Sequence, residues 1–132
     1  MIKTIHVKTR SHTEFVNITS DVQKIVKESG IKSGICYVFV PHTTAGVTIN
    51  EGADPSVVRD MQVFLNKLVP HSGDYMHMEG NSDAHIKTSL AGPSQIIIID
   101  DRKLLLGTWQ AIFFCEFDGA RSRKVYVKIV KD

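Results

Sequence analysis

Apolar and polar residues alternate from Ile2 to Thr9, the two-residue period of a half-buried strand. Phe15 to Ile18 reads as a second, shorter strand. Ser20-Asp21-Val22-Gln23 then has the form of a capping box, in which a serine oxygen accepts from a free helix amide and glutamine reaches back. Val22, Ile25 and Val26 mark one face of that helix, and Gly30 supplies its stop. The unbroken apolar run Ile35 to Val40, closed by Pro41, predicts a buried strand, with Val47 to Asn50 as its neighbour.

The second helix carries the clearest signals. Asp54 suits a cap, Pro55 the first helical position, and Val57, Val58, Met61, Leu65 and Leu68 recur on one face before Pro70. Residues 71–83 form a polar loop. Beyond it the pattern predicts strands at Ala84 to Leu90, Ser94 to Ile99, Leu104 to Leu106, Trp109 to Phe117 and Lys124 to Val130, with turns at 100–103 and 118–121. The order predicts an α+β fold: two helices packed on a largely antiparallel, strand-rich sheet or sandwich, as a single domain over residues 1–132.

Composition narrows the function classes. Lys and Arg number 16 against 14 Asp and Glu, a balance of +2 that lacks the clustered basic face of a nucleic-acid binder. No apolar run nears the ~20 residues of a membrane helix, and the alternating N-terminus does not resemble a secretory signal. The expected setting is cytoplasmic, with neither nucleic acid nor membrane as partner. Cys36 and Cys115 lie in apolar runs and read as small buried hydrophobes. A chain of 132 residues supports one modest core, so a site with several polar walls is easier to build between subunits.

Candidate chemistry appears where polar groups interrupt buried-looking sequence. Along Trp109 to Asp118, Trp109, Ala111, Phe113, Cys115 and Phe117 share one face, and Gln110, Ile112, Phe114, Glu116 and Asp118 the other. A half-buried Glu116 needs a cation or donors. Trp109 is expected in the core and Gln110 in contact with substrate. If residues 77–87 are extended, His77, Glu79, Asn81, Asp83, His85 and Lys87 share one side, and such imidazole and carboxylate groups suit a divalent metal such as zinc or magnesium. Pro41-His42-Thr43-Thr44 follows a buried strand and leaves room for a ligand, while Asn50-Glu51 precedes the second helix. Arg121 and Arg123 suit either a phosphate or ion pairs with Glu116 and Asp118. His6, His12 and His71 lack comparable polar company and read as surface residues.

Together, His42-Thr43-Thr44-Ala45, Ile49-Asn50-Glu51, Asp54-Pro55, His77, Ala84-His85-Ile86-Lys87, Gly107-Thr108-Trp109-Gln110 and Glu116-Phe117-Asp118-Gly119 resemble the YjbQ-like family, whose members carry the label secondary thiamine-phosphate synthase. Ala120 departs from the pattern, where many relatives carry proline. The resemblance implies a homotrimer with pockets at subunit boundaries. It also implies the joining of a pyrimidine pyrophosphate to a thiazole phosphate with loss of pyrophosphate, as a weak side activity. On this reading His42, Glu51, His85 and Glu116 are the catalytic candidates, and His42, His77 and His85 the metal ligands. Thr43, Asn50, Asn81, Lys87, Gln110, Arg121 and Arg123 would contact a phosphorylated small molecule. The alternative is a non-catalytic module that binds a metal or a phosphometabolite.

Overall fold

In the computed structural model, which describes residues 1–132, the chain forms β1 (Ile2–Lys8), β2 (Glu14–Asn17), α1 (Thr19–Ser29), β3 (Gly34–Phe39), β4 (Ala45–Glu51) and α2 (Pro55–Leu68). There follow α3 (Ser82–Ala91), β5 (Ser94–Asp100), β6 (Lys103–Leu104), β7 (Gln110–Glu116) and β8 (Ser122–Lys131). All pairings are antiparallel. The strands make a five-stranded sheet, β1-β8-β3-β5-β6, and a three-stranded sheet, β2-β7-β4. The expected α+β architecture is present, with three helices rather than two.

Two cores follow from the period of the strands. Ile5, Cys36, Val38, Ile97, Val125 and Val127 project from the inner face of the larger sheet. They meet Val47, Ile112 and Phe114 of the smaller sheet and Val22 and Val26 of α1. On the opposite face of β7, Ala111, Phe113 and Cys115 join Phe117 and Ala84 in a second cluster, flanked by Val58 and Leu65 of α2. Burial on both faces explains why β7 reads as a nearly continuous apolar run. The face division inferred from its alternation matches these two clusters. Trp109 does not: it lies outside the strand and is 64% exposed.

The strand expected at Ala84 to Leu90 is instead helix α3. Ala84, Lys87, Thr88 and Ala91 stand at i, i+3, i+4 and i+7, and the first three are buried. A lysine inside the buried stripe hides the helical period; it is tolerated because Lys87 Nζ lies 3.4 Å from Asp83 Oδ2, one turn earlier, and donates to Asn66 Oδ1 at 2.7 Å. The capping box also fails to form. Thr19 opens α1, its amide and hydroxyl donating to Asn17 Oδ1 at 3.0 and 2.7 Å. Gln23 instead ties α1 to β6, donating to the Arg102 carbonyl and accepting from the Leu104 amide. Elsewhere the caps match their sequence signals: Asp54 accepts from the Ser56 amide at 2.9 Å, and Gly30 takes the left-handed conformation at φ 72°. No helix is long and apolar enough to cross a membrane.

Candidate functional site: a polar cleft at one end of the sheets

Arg123 continues the inward-facing row of β8, and Glu116 the row of β7 that faces the larger sheet. The two meet where the first core ends, one residue from each sheet. Arg123 Nε donates to Glu116 Oε1 at 2.9 Å, and Nη2 donates to Oε2. Thr9 Oγ1 adds a bond of 2.7 Å to Oε1, and the Asp118 amide one of 3.1 Å to Oε2. Burial pushes the Glu116 carboxyl upward, but these donors and the Arg123 charge outweigh it and hold the group below its usual value. Four donors fill the four acceptor positions of the carboxylate. Glu116 therefore anchors Arg123, and it has no lone pair left to act as a base.

Arg123 Nη2 also donates to Thr44 Oγ1 at 2.9 Å. Its Nη1 has no acceptor within the chain, while the side chain lines a mainly polar cleft of about 410 Å³. Arg121 is held similarly, with Nε 2.7 Å from the Asp118 carbonyl and Nη2 2.8 Å from Asp118 Oδ2. Both ion pairs left open by the sequence are thus formed, and each guanidinium keeps an edge toward the cleft. Burial raises the Asp118 carboxyl, but the Asn81 hydrogen bond and Arg121 bring it below its usual value.

His42, on the connection from β3 to β4, forms another wall. Its Nε2 accepts from the Lys124 amide at 3.0 Å. Burial, reinforced by Arg123, lowers its pKa and favours the neutral ring. A neutral imidazole whose Nε2 accepts carries its proton on Nδ1, so His42 offers a donor to the cleft. Across from it, the His77 and His85 rings meet edge to face with centroids 5.3 Å apart. Asn81 donates to Asp118 Oδ2 at 2.9 Å, which fixes its amide orientation, while its buried Oδ1 has no partner. Thr43 also lines this cleft.

The remaining sequence candidates stand elsewhere in the chain. Lys87 is buried with Asp83 and Asn66. Glu51 pairs with Gln110 at the end of β4 opposite to Ala45, which pairs with Glu116; six residue steps separate the ends by about 20 Å. Asn50 Oδ1 accepts from the Glu51 amide, Glu51 Oε2 from the Ala53 amide, and Gln110 Oε1 from the Gly107 amide. Within one chain these three residues do not reach the cleft.

The donor set His42, His77 and His85 does not fit a three-histidine metal centre in this chain, because the Lys124 amide occupies the only lone pair of neutral His42 and the three do not gather their ligand atoms. The group that does gather them is His12, His71 and Asp83. By sequence His12 and His71 read as isolated surface residues; they come from separate connections, so no linear spacing signals their approach. The cysteines behave as expected: both are buried, and burial pushes the Cys36 and Cys115 thiols up to about 11 and about 12.

Two antiparallel sheets with three helices and a polar cleft at one end, walled by arginines and histidines, define a small α+β domain. The model of the family described as UPF0047 protein YjbQ-like matches residues 3–132, and the chain belongs to that family. It is 55% identical to the UPF0047 protein MJ1081 of Methanocaldococcus jannaschii, covering 100% of this chain and 96% of the relative. It is 48% identical to the UPF0047 protein YugU of Bacillus subtilis, covering 98% and 99%. The crystal structure of an uncharacterized YjbQ/UPF0047 family protein from Clostridium acetobutylicum superposes with a TM-score of 0.96 at 58% identity, covering 97% of this chain and 99% of that one. A protein of unknown function from Sulfolobus solfataricus also superposes with a TM-score of 0.96, at 34% identity over 100% and 97% of the two chains.

Proposed function

We propose that the cleft binds the phosphate or pyrophosphate group of a small molecule and that the protein has thiamine-phosphate synthase activity as a side reaction. The observation that carries this reading is Arg123: a guanidinium buried against Glu116 and Thr44, with Nη1 left without an acceptor at the cleft wall. A preorganised donor of this kind loses little freedom when an oxyanion arrives. Arg121 and His42 Nδ1–H add donors around the same space. In the proposed reaction the thiazole nitrogen lone pair forms a bond to the pyrimidine methylene carbon. The C–O bond to pyrophosphate breaks, and its electron pair leaves with the pyrophosphate. The arginines and His42 stabilise the charge growing on that leaving group.

A second reading, binding without catalysis, draws on the filled carboxylate of Glu116. That reading needs no proton transfer, whereas in the enzyme reading protonation of the departing pyrophosphate would fall to His77, His85 or the exposed Glu79. The two readings separate in one experiment with purified protein, a pyrimidine pyrophosphate and a thiazole phosphate, scored by release of pyrophosphate. Turnover that His85→Ala removes without unfolding supports the enzyme. Saturable pyrophosphate binding without product supports the module, and no binding of either phosphate compound overturns both. Loss of one charge-assisted hydrogen bond, as in Arg121→Met, should weaken pyrophosphate binding by about tenfold or more.

Self-assembly as a homotrimer is part of the same proposal. Tyr37, Phe39, Ile96, Ile98 and Val130 line the outer face of the larger sheet, which no helix covers. A neighbouring copy covering such a face could bring Asn50, Glu51 and Gln110 toward a cleft that they do not reach within their own chain.

A further inference from the structure

We infer that His12, His71 and Asp83 form a site for a divalent transition metal of the zinc type, separate from the phosphate-binding cleft. One ligand atom from each lies within 4.8 Å of the other two. The His71 Nδ1 to Asp83 Oδ1 distance is 3.1 Å, near the edge of a tetrahedron with bonds of about 2.0 Å. Two imidazoles and a carboxylate are the donor chemistry that zinc accepts.

Asp83 is held ready for this role. Its side chain is 2% exposed, Oδ2 faces Lys87 at 3.4 Å, and Oδ1 pairs with His71 Nδ1 through a proton that a bound ion would replace. Asp118 Oδ1 lies 3.9 Å from His12 Nδ1, outside hydrogen-bond distance, and adds negative charge beside the ring. The His12 and His71 rings meet edge to face with centroids 5.3 Å apart and remain exposed, so a fourth position is open to water.

The β1–β2 connection supplies one ligand, and the α2–α3 connection and the first turn of α3 that continues it supply the other two. An ion bound there would clip the two connections together. The α2–α3 connection carries His77 and Glu79 to the cleft, and Asp118 faces both places, with Oδ1 toward His12 and Oδ2 toward Asn81 and Arg121. The ion is thus placed to brace one wall of the cleft without entering it.

The test is a titration of the full chain with zinc ion alone, followed by calorimetry, thermal unfolding and imidazole ¹H–¹⁵N correlations. At one equivalent the His12 and His71 signals should move, and the unfolding midpoint should rise. His12→Ala and His71→Ala should each weaken zinc binding by at least about tenfold while His6→Ala leaves it unchanged. Both variants replace exposed side chains, so folding is readily checked from their metal-free unfolding curves. Absence of saturable binding would overturn the inference. So would equal affinity in both variants, or zinc shifts confined to His42, His77 and His85. Phosphate binding is scored separately, so failure of the metal site leaves the reading of the cleft standing.

Discussion

Glu116 stays ionised away from water because Thr9, Arg123 and the Asp118 amide direct hydrogen atoms at its two oxygens. Removing the charge leaves a buried guanidinium uncompensated, so Glu116→Gln should lower stability by about 3–5 kcal/mol in urea unfolding at pH 7. The pH dependence follows from the direction of the shift. A carboxyl held below its usual 4.5 contributes stability that is complete above that value and is lost as pH falls through the lower folded value. Glu116→Gln should flatten that acid limb. His42 titrates in the other chemical sense but with the same direction of stability. Its lowered pKa means that the unfolded chain binds the proton first, so stability falls as pH drops below the usual 6.5. An ¹⁵N titration should show a midpoint under 6.5 with the proton of the neutral ring on Nδ1; a midpoint above it would remove His42 as a neutral donor.

At the scale of elements, α3 shows where patterning stopped being readable. Asp83, His85 and Lys87 alternate as they would on a strand, yet Asp83 and Lys87 sit one helical turn apart and satisfy each other. The buried side of α3 is therefore part ionic, and a search for an apolar stripe misses it. Ala84 shows how closely that side packs: it is 1% exposed against the second core, and Ala84→Leu should cost about 1–3 kcal/mol by overpacking, measured as a shift in the denaturation midpoint. By contrast, α2 was legible because Asp54, Pro55 and its apolar positions agree. Glu116, Arg123 and His42 were also legible as candidates. Their roles were not, since the partners that fill Glu116 and His42 come from Thr9 and Lys124, far away in sequence.

For the whole molecule, the uncovered face of the larger sheet sets the expected behaviour. Ile96 and Ile98 are 63% and 58% exposed beside Tyr37, Phe39 and Val130, a contiguous apolar surface rather than scattered residues. The proposed homotrimer predicts three copies in light scattering of the purified protein, and Ile96→Lys with Ile98→Lys should shift it toward monomer while retaining the circular dichroism of the fold. An unchanged mass would place any interface elsewhere.

By itself the sequence determined the α+β class, most strands, two of the three helices and the two-faced burial of β7. These depend on local period and capping, which neighbouring residues in the chain encode. Only the tertiary structure decided that Glu116 is saturated, that His42 donates through Nδ1, and that His12, His71 and Asp83 converge. Each of those facts is a distance between atoms on different elements, and such distances are fixed when the sheets and helices pack.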